Sequence, residues 1–164
     1  MTEKPRFDPL QDIYRHPHAQ SSHTDGNYRK CYDIYSLGVV LIEVALWNRI
    51  EDIVGLANLS TAKPSTLQGL QHWLLGKSFT RKGSSLPKIP GAGPCLQQLD
   101  SACGKVFRDI VECCLTVDAV EIPEGVEQGS TAVLRIQRIT EQDIVRRLES
   151  IQVALGGCSR DSIS

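Results

Sequence analysis

Tyr32-Asp33-Ile34-Tyr35-Ser36-Leu37-Gly38-Val39-Val40-Leu41-Ile42-Glu43-Val44-Ala45-Leu46-Trp47 is the stretch whose reading decides the fold. From Ile34 to Trp47 only Ser36, Gly38 and Glu43 interrupt the apolar residues, so a helix here is hydrophobic on nearly every side and is predicted to be buried all round. The Val and Ile content suits a strand, but the run outlasts the roughly 4–8 residues of a buried strand, and Asp33 suits a helix start. A bilayer span asks for about 20 consecutive apolar residues, more than this run supplies, and Glu43 lies within it. The expectation is a mainly α domain built around a central buried helix.

On the N-terminal side, residues 1–30 are polar, carry Pro5, Pro9 and Pro17, and include the turn-forming cluster Ser21 to Asn27. They read as a loop leading into the helix. On the other side, Leu67, Leu70, Leu74 and Leu75 recur at helical spacing after Pro64, predicting a short helix over 65–75. Residues 76–95 lack apolar periodicity and read as a surface loop. Leu96, Leu99, Cys103, Val106, Phe107, Ile110, Val111 and Cys114 then step by threes and fours, which predicts a long helical stretch that Gly104 divides.

Past Ala119 the pattern breaks, and 132–139 alternates weakly, as a short edge strand would. Thr140 and Asp143 suit a capped helix start, with Ile139 stapled onto Ile144 and one apolar face of Ile144, Leu148, Ile151 and Leu155 before Gly156-Gly157. The chain thus divides into a lead-in over 1–30, a helical domain over 31–155 and a flexible tail over 156–164.

At 164 residues, 41% hydrophobic and 23% charged, the chain suits one domain with a sizeable core. A net charge of -1 and a pI near 6.4 leave no basic footprint for nucleic acid or an anionic membrane. The opening Met-Thr-Glu-Lys-Pro has no apolar signal-peptide core. The six cysteines are therefore expected to be reduced, with Cys103 and Cys114 packed as small hydrophobes and the protein resident in the cytoplasm or nucleus.

The string Asp33-Ile34-Tyr35-Ser36-Leu37-Gly38-Val39-Val40-Leu41-Ile42-Glu43 closely resembles the D-x-x-S-x-G-V-x-L-x-E stretch of protein kinases, the central helix of that family's C-terminal lobe. Tyr14-Arg15-His16-Pro17 looks like the form taken in fungal kinase-like domains by the end of the activation segment, which the lead-in would match. Val106 to Leu115 looks like a late helix of the family, with its V-x-x-C-L ending at Cys114 and Leu115. The resemblance covers about residues 7–155 and implies a partial kinase-like C-terminal lobe. It marks Pro17, Asp33, Ser36, Gly38, Glu43, Cys114 and Leu115 as family-matched structural positions. In the family, the aspartate matched by Asp33 hydrogen-bonds the backbone of the catalytic loop; from the residues alone, Asp33 is an ordinary acidic residue at a helix N-terminus.

Phosphoryl transfer requires a phosphate-covering glycine loop, a lysine and two aspartates. This chain has no G-x-G-x-x-G, no V-A-I-K, no H-R-D-x-x-x-x-N and no D-F-G. The family's ionic tie between the activation segment and the region after the late helix also looks lost, since His18 follows Pro17 and Ile122 falls where an arginine is expected. Loss of both partners avoids stranding one buried charge.

Gly76-Lys77-Ser78 resembles the end of a phosphate loop, but Gln71 stands where the first glycine is required. His16, His18, His23 and Cys31 do not form a recognised metal-ligand frame, and no C-x-x-C is present, so they read as loop residues.

No catalytic, cofactor-binding or metal residue is assigned; ATP and magnesium belong to the chain only if an upstream lobe supplies their site. Two functions fit: a non-catalytic interaction or regulatory module, with a protein partner or self-association through exposed apolar surface, and the C-terminal fragment of an ATP-dependent protein kinase. An unrelated helical domain is the third reading. Neither nucleic acid nor membrane is expected as a partner.

Overall fold

The structure is a computed structural model that describes residues 7–20, 29–77, 86, 94–121 and 129–156. The central helix, α2 (Lys30–Leu46), follows α1 (Pro9–Asp12) and a 3-10 turn at Pro17–Ala19. Short helices α3 (Ile50–Ile53), α4 (Pro64–Leu67) and α5 (Leu70–Leu74) lead to the long α6 (Pro94–Thr116). Then come α7 (Asp118–Glu121), α8 (Gly129–Ile139) and α9 (Arg146–Gly156), with a π turn at Thr140–Val145 between the last two. No strand occurs among the described residues, so the mainly α expectation holds.

Helix α2 buries Cys31, Ile34, Tyr35, Gly38, Val39 and Ile42, one face at helical spacing. Tyr35, Val39 and Ile42 join the larger apolar cluster with Leu70, Leu99 and Leu115. Cys31 and Ile34 join a smaller one with Ile110, Cys114, Ile136 and Ile144. Burial all round is not what the structure has: Leu37, Val40, Val44 and Trp47 lie exposed on the opposite side. A run apolar on every side cannot signal which side its neighbours cover, and here they cover one.

Gly104 divides α6 as expected, with φ 81 and ψ 167 in the middle of the helical run. That break also undoes one expectation, since Cys103 beside it is exposed while Cys114 is buried. The helix expected over 65–75 is two short ones, with Pro64 opening the first and Gly69 preceding the second.

The strand expected over 132–139 is helix α8. Its Val133 and Leu134 face solvent and Ile136 is buried, so the weak alternation was a helical stripe read with the wrong period. Nor does a new helix begin at Thr140. The Thr140 hydroxyl donates back to the Ile136 carbonyl at 2.8 Å, and the chain continues through the π turn. An extra residue in that turn brings Ile136 and Ile144, eight apart, nearer to one line than a regular helix of about 3.6 residues per turn would. Both side chains are buried.

The lead-in also departs from a plain loop, because Asp12, Ile13, His16, Pro17 and Gln20 are buried. The turn cluster at 21–27, most of the loop over 76–95 and the tail from 157 onward lie outside the described residues. Among the described residues no helix is long and apolar enough to cross a membrane.

Candidate functional site

The inward face of α2 gathers three of the sequence-marked residues. A Cβ placed on Gly38 would stand 2.7 Å from the Cβ of Cys114 and 3.4 Å from Leu115 Cδ2. Glycine is thus what allows α2 and α6 to approach so closely. Burial pushes the Cys114 thiol up to about 12, as it does Cys95. Both are therefore poor nucleophiles.

The polar residues of α2 hold the lead-in. The Ser36 hydroxyl lies 2.8 Å from the Tyr14 carbonyl and 3.0 Å from that of Tyr32. Glu43 accepts the Tyr14 hydroxyl at 2.9 Å and the Ile50 amide at 2.7 Å, joining the lead-in to the start of α3. Burial, reinforced by the hydrogen bond to Glu43, raises the Tyr14 phenol to about 12. These contacts give Ser36 and Glu43 structural tasks.

Pro17 is buried at the start of its 3-10 turn, next to a polar clasp centred on His16. His16 is 1% exposed; its ring stacks on Tyr32 at 5.0 Å and meets Tyr35 edge-on at 5.1 Å. Its Nδ1 accepts the His18 amide at 3.2 Å, and its Nε2 lies 3.3 Å from Asp118 Oδ2, in ion-pair range but not aligned as a hydrogen bond. Gln71 completes the clasp, donating to the Leu115 carbonyl at 2.7 Å and to Asp118 Oδ1 at 3.2 Å.

Burial works against the Asp118 carboxylate, yet His16, Gln71 and the Ala119 amide together hold it below its ordinary range. The expectation that His16 is an exposed loop histidine is corrected here, since it is buried. A contact between the His16 ring in the lead-in and the Asp118 carboxylate after α6 joins the two segments, at positions other than those of the family's pair. His16 stood in the quoted Tyr14-Arg15-His16-Pro17 string, but nothing local in the sequence pairs it with Asp118.

The outward face of α2 is different in kind. Leu37, Val40, Val44 and Trp47 follow one another by three, four and three residues, which aligns them on one side of the helix. Their exposure rises along the helix to 58% at Val44 and 93% at Trp47. Trp47 closes the helix in the left-handed conformation, φ 48 and ψ 39, its amide donating to the Glu43 carbonyl. It is the one non-glycine residue with positive φ among those described. That conformation costs a side-chain-bearing residue about 1–2 kcal/mol.

At the other end of the same face, Lys30, Asp33 and Ile34 border an open depression whose far wall is Ile136, Gln137, Thr140, Glu141 and Val145. Asp33 is exposed and lies in the first turn of a helix that starts three residues before it. The sequence-marked residues are thus separated: Gly38, Cys114, Leu115, Ser36, Glu43 and Pro17 serve the packed side, and Asp33 alone borders the open one. Trp47 was missed because it ends an apolar run that reads as core throughout.

Among the described residues no three His, Cys, Asp or Glu side chains are grouped so as to hold a metal ion, and Cys31, Cys95, Cys103, Cys113 and Cys114 are unbridged. No family model matches the chain, and no curated protein or solved structure matches it.

Proposed function

We propose that this chain is a divergent, protein-kinase-like C-terminal-lobe domain acting as a non-catalytic interaction or regulatory module. The observation that carries the reading is the exposed stripe Leu37, Val40, Val44 and Trp47 on the helix that organises the fold. Contiguous apolar surface rimmed by polar residues marks a place where another surface docks. Trp is enriched among the few residues that supply most of an interface's energy, and here it is held outward at a conformational cost. Cytoplasmic or nuclear residence goes with this reading.

The test is binding of a hydrophobic dye together with light scattering. The chain is expected to bind dye or to self-associate, and Val44→Glu is expected to abolish both while leaving the helical circular dichroism unchanged. A wild-type chain that stays monomeric and binds no dye overturns the proposal.

A second reading is supported by Asp33, exposed beside the open depression at the start of α2. There the chain is the C-terminal part of an ATP-dependent protein kinase, and Asp33 would fix a catalytic loop supplied by preceding sequence. Sequencing the native transcript upstream decides it: a lysine and both aspartates of a nucleotide-binding lobe support the kinase, and their absence from a longer chain ends that reading.

A further inference from the structure

We propose that the Tyr14 hydroxyl and the Glu43 carboxylate form a coupling device, through which the seating of the lead-in on α2 fixes the outward presentation of Trp47. The inference rests on the interaction-module reading and names how its docking surface is controlled.

The turn that presents Trp47 is closed at both ends by one residue. Glu43 ends α2, its carbonyl accepting the Trp47 amide and, at 3.3 Å, the Asn48 amide. Its carboxylate also starts α3. The Ile50 amide, an orphan donor of a helix N-terminus, reaches Glu43 Oε1 at 2.7 Å, whereas the N-cap residue Arg49 makes no side-chain capping bond. The side-chain contacts of the turn itself are local: Asn48 Oδ1 accepts the Arg49 amide at 3.0 Å, and the Arg49 guanidinium pairs with Glu51. Trp47 is held at φ 48. A side-chain-bearing residue persists in that conformation only where surrounding contacts over-determine it. Here those contacts converge on Glu43.

The same carboxylate oxygen is tied to the lead-in. Glu43 Oε1 accepts the hydroxyl of Tyr14, 29 residues earlier in the chain, at 2.9 Å. Burial and Glu43 itself keep that phenol protonated, so it remains a donor. The rest of the lead-in places it: the Tyr14 carbonyl accepts the Ser36 hydroxyl at 2.8 Å, and Ile13, His16 and Pro17 on either side are buried. One oxygen keeps both donors in a single carboxylate orientation. Loss of the hydroxyl frees the carboxylate to turn towards water and away from the Ile50 amide. The turn then loses a contact that offsets its strain, and Trp47 relaxes towards ordinary backbone conformations. By linkage, a partner that needs Trp47 in its displayed position stabilises the seated lead-in by the same free energy.

The test is fluorine NMR of the chain carrying fluorotryptophan at its two tryptophans, with Trp47→Gly identifying the Trp47 line by deleting it. Tyr14→Phe keeps the ring and removes the donor. It is expected to shift and broaden the Trp47 line, leaving the line of the buried Trp73 and the circular dichroism unchanged. The Ile50 amide is expected to exchange with solvent about tenfold faster in the same variant. Glu43→Ala is expected to perturb Trp47 more strongly, and Glu43→Gln, which keeps an acceptor oxygen, to restore the wild-type line. Tyr35→Phe removes a buried phenol hydroxyl that makes no bond to Glu43, and is expected to move neither line.

A Trp47 line and an Ile50 exchange rate unchanged in Tyr14→Phe overturn the coupling. An equal change in Tyr35→Phe also overturns it, by showing general loosening. Either result leaves the interaction-module reading standing when the wild-type chain binds dye. A wild-type monomer that binds no dye overturns that reading by itself, and the Trp47 line still decides the coupling.

Discussion

Gly38 lies so close to Cys114 that a Cβ on the glycine would stand 2.7 Å from the Cβ of the cysteine. The contact is at the crossing of α2 and α6, between two backbones fixed by their own hydrogen bonds, so neither side can yield by a simple rotamer change. Gly38→Ala is expected to destabilise the fold by about 1–3 kcal/mol, the usual cost of overpacking. Urea denaturation checks it, and a Gly38→Ala/Cys114→Gly double variant should recover part of the loss if this contact is its cause.

Glu43 illustrates a polar residue within an apolar helix that has a defined structural task. It accepts both the Tyr14 hydroxyl and the Ile50 amide. Glu43→Ala leaves those donors without their acceptor and is expected to cost about 1–3 kcal/mol, with Glu43→Gln losing less. The same substitutions remove a cause of the raised Tyr14 phenol, so its titration should move down from about 12. Absorbance titration of the tyrosines reports it, and an unchanged Tyr14 would refute the assignment.

Much of this architecture is legible in the sequence, and what is not has definite physical causes. The apolar run forms α2 because nothing within it breaks a helix, and Gly104 breaks α6 because it takes a positive φ. The outer stripe is not legible, because Leu37, Val40 and Val44 are no less apolar than Val39 and Ile42 on the packed side. Burial there is decided by where α6 lies, and residue type on α2 carries no record of it. The His16–Asp118 tie escapes for a related reason: its partners come from segments far apart in the chain, and an aligned kinase pattern directs attention to Ile122 instead. Helix α8 was misread because its apolar residues were taken at a period of two, whereas the exposed Val133 and Leu134 and the buried Ile136 follow a helical stripe.

The clasp gives acid stability a definite sign. The Asp118 carboxylate has a folded-state value below its ordinary 3.8, so the native state favours the charged form. The resulting stability is fully present above the unfolded value and is lost as pH falls through the folded one. Wild type and Asp118→Asn are therefore expected to differ most at neutral pH and to converge below about pH 3.8. Thermal melts across pH 3–7 measure this, and a difference that widens on acidification would refute it.

Tyr35 offers the reverse case within the same clasp. Its hydroxyl is fully buried and has no hydrogen-bond partner among the described residues, while its ring meets His16 edge-on. Burial, with the Asp118 charge nearby, raises its phenol and keeps it neutral. A buried hydroxyl without a partner forfeits its hydration for no return, so removing the oxygen while keeping the ring should cost nothing. Tyr35→Phe is expected to be neutral or more stable by up to about 1 kcal/mol, whereas Tyr35→Ala loses the ring as well and should cost about 3–5 kcal/mol. Chemical denaturation of the two variants separates the contributions. A Tyr35→Phe protein less stable than wild type by more than about 1 kcal/mol would mean that the hydroxyl holds the clasp through a bridging water, and the His16–Asp118 contact would then be one part of a hydrated network.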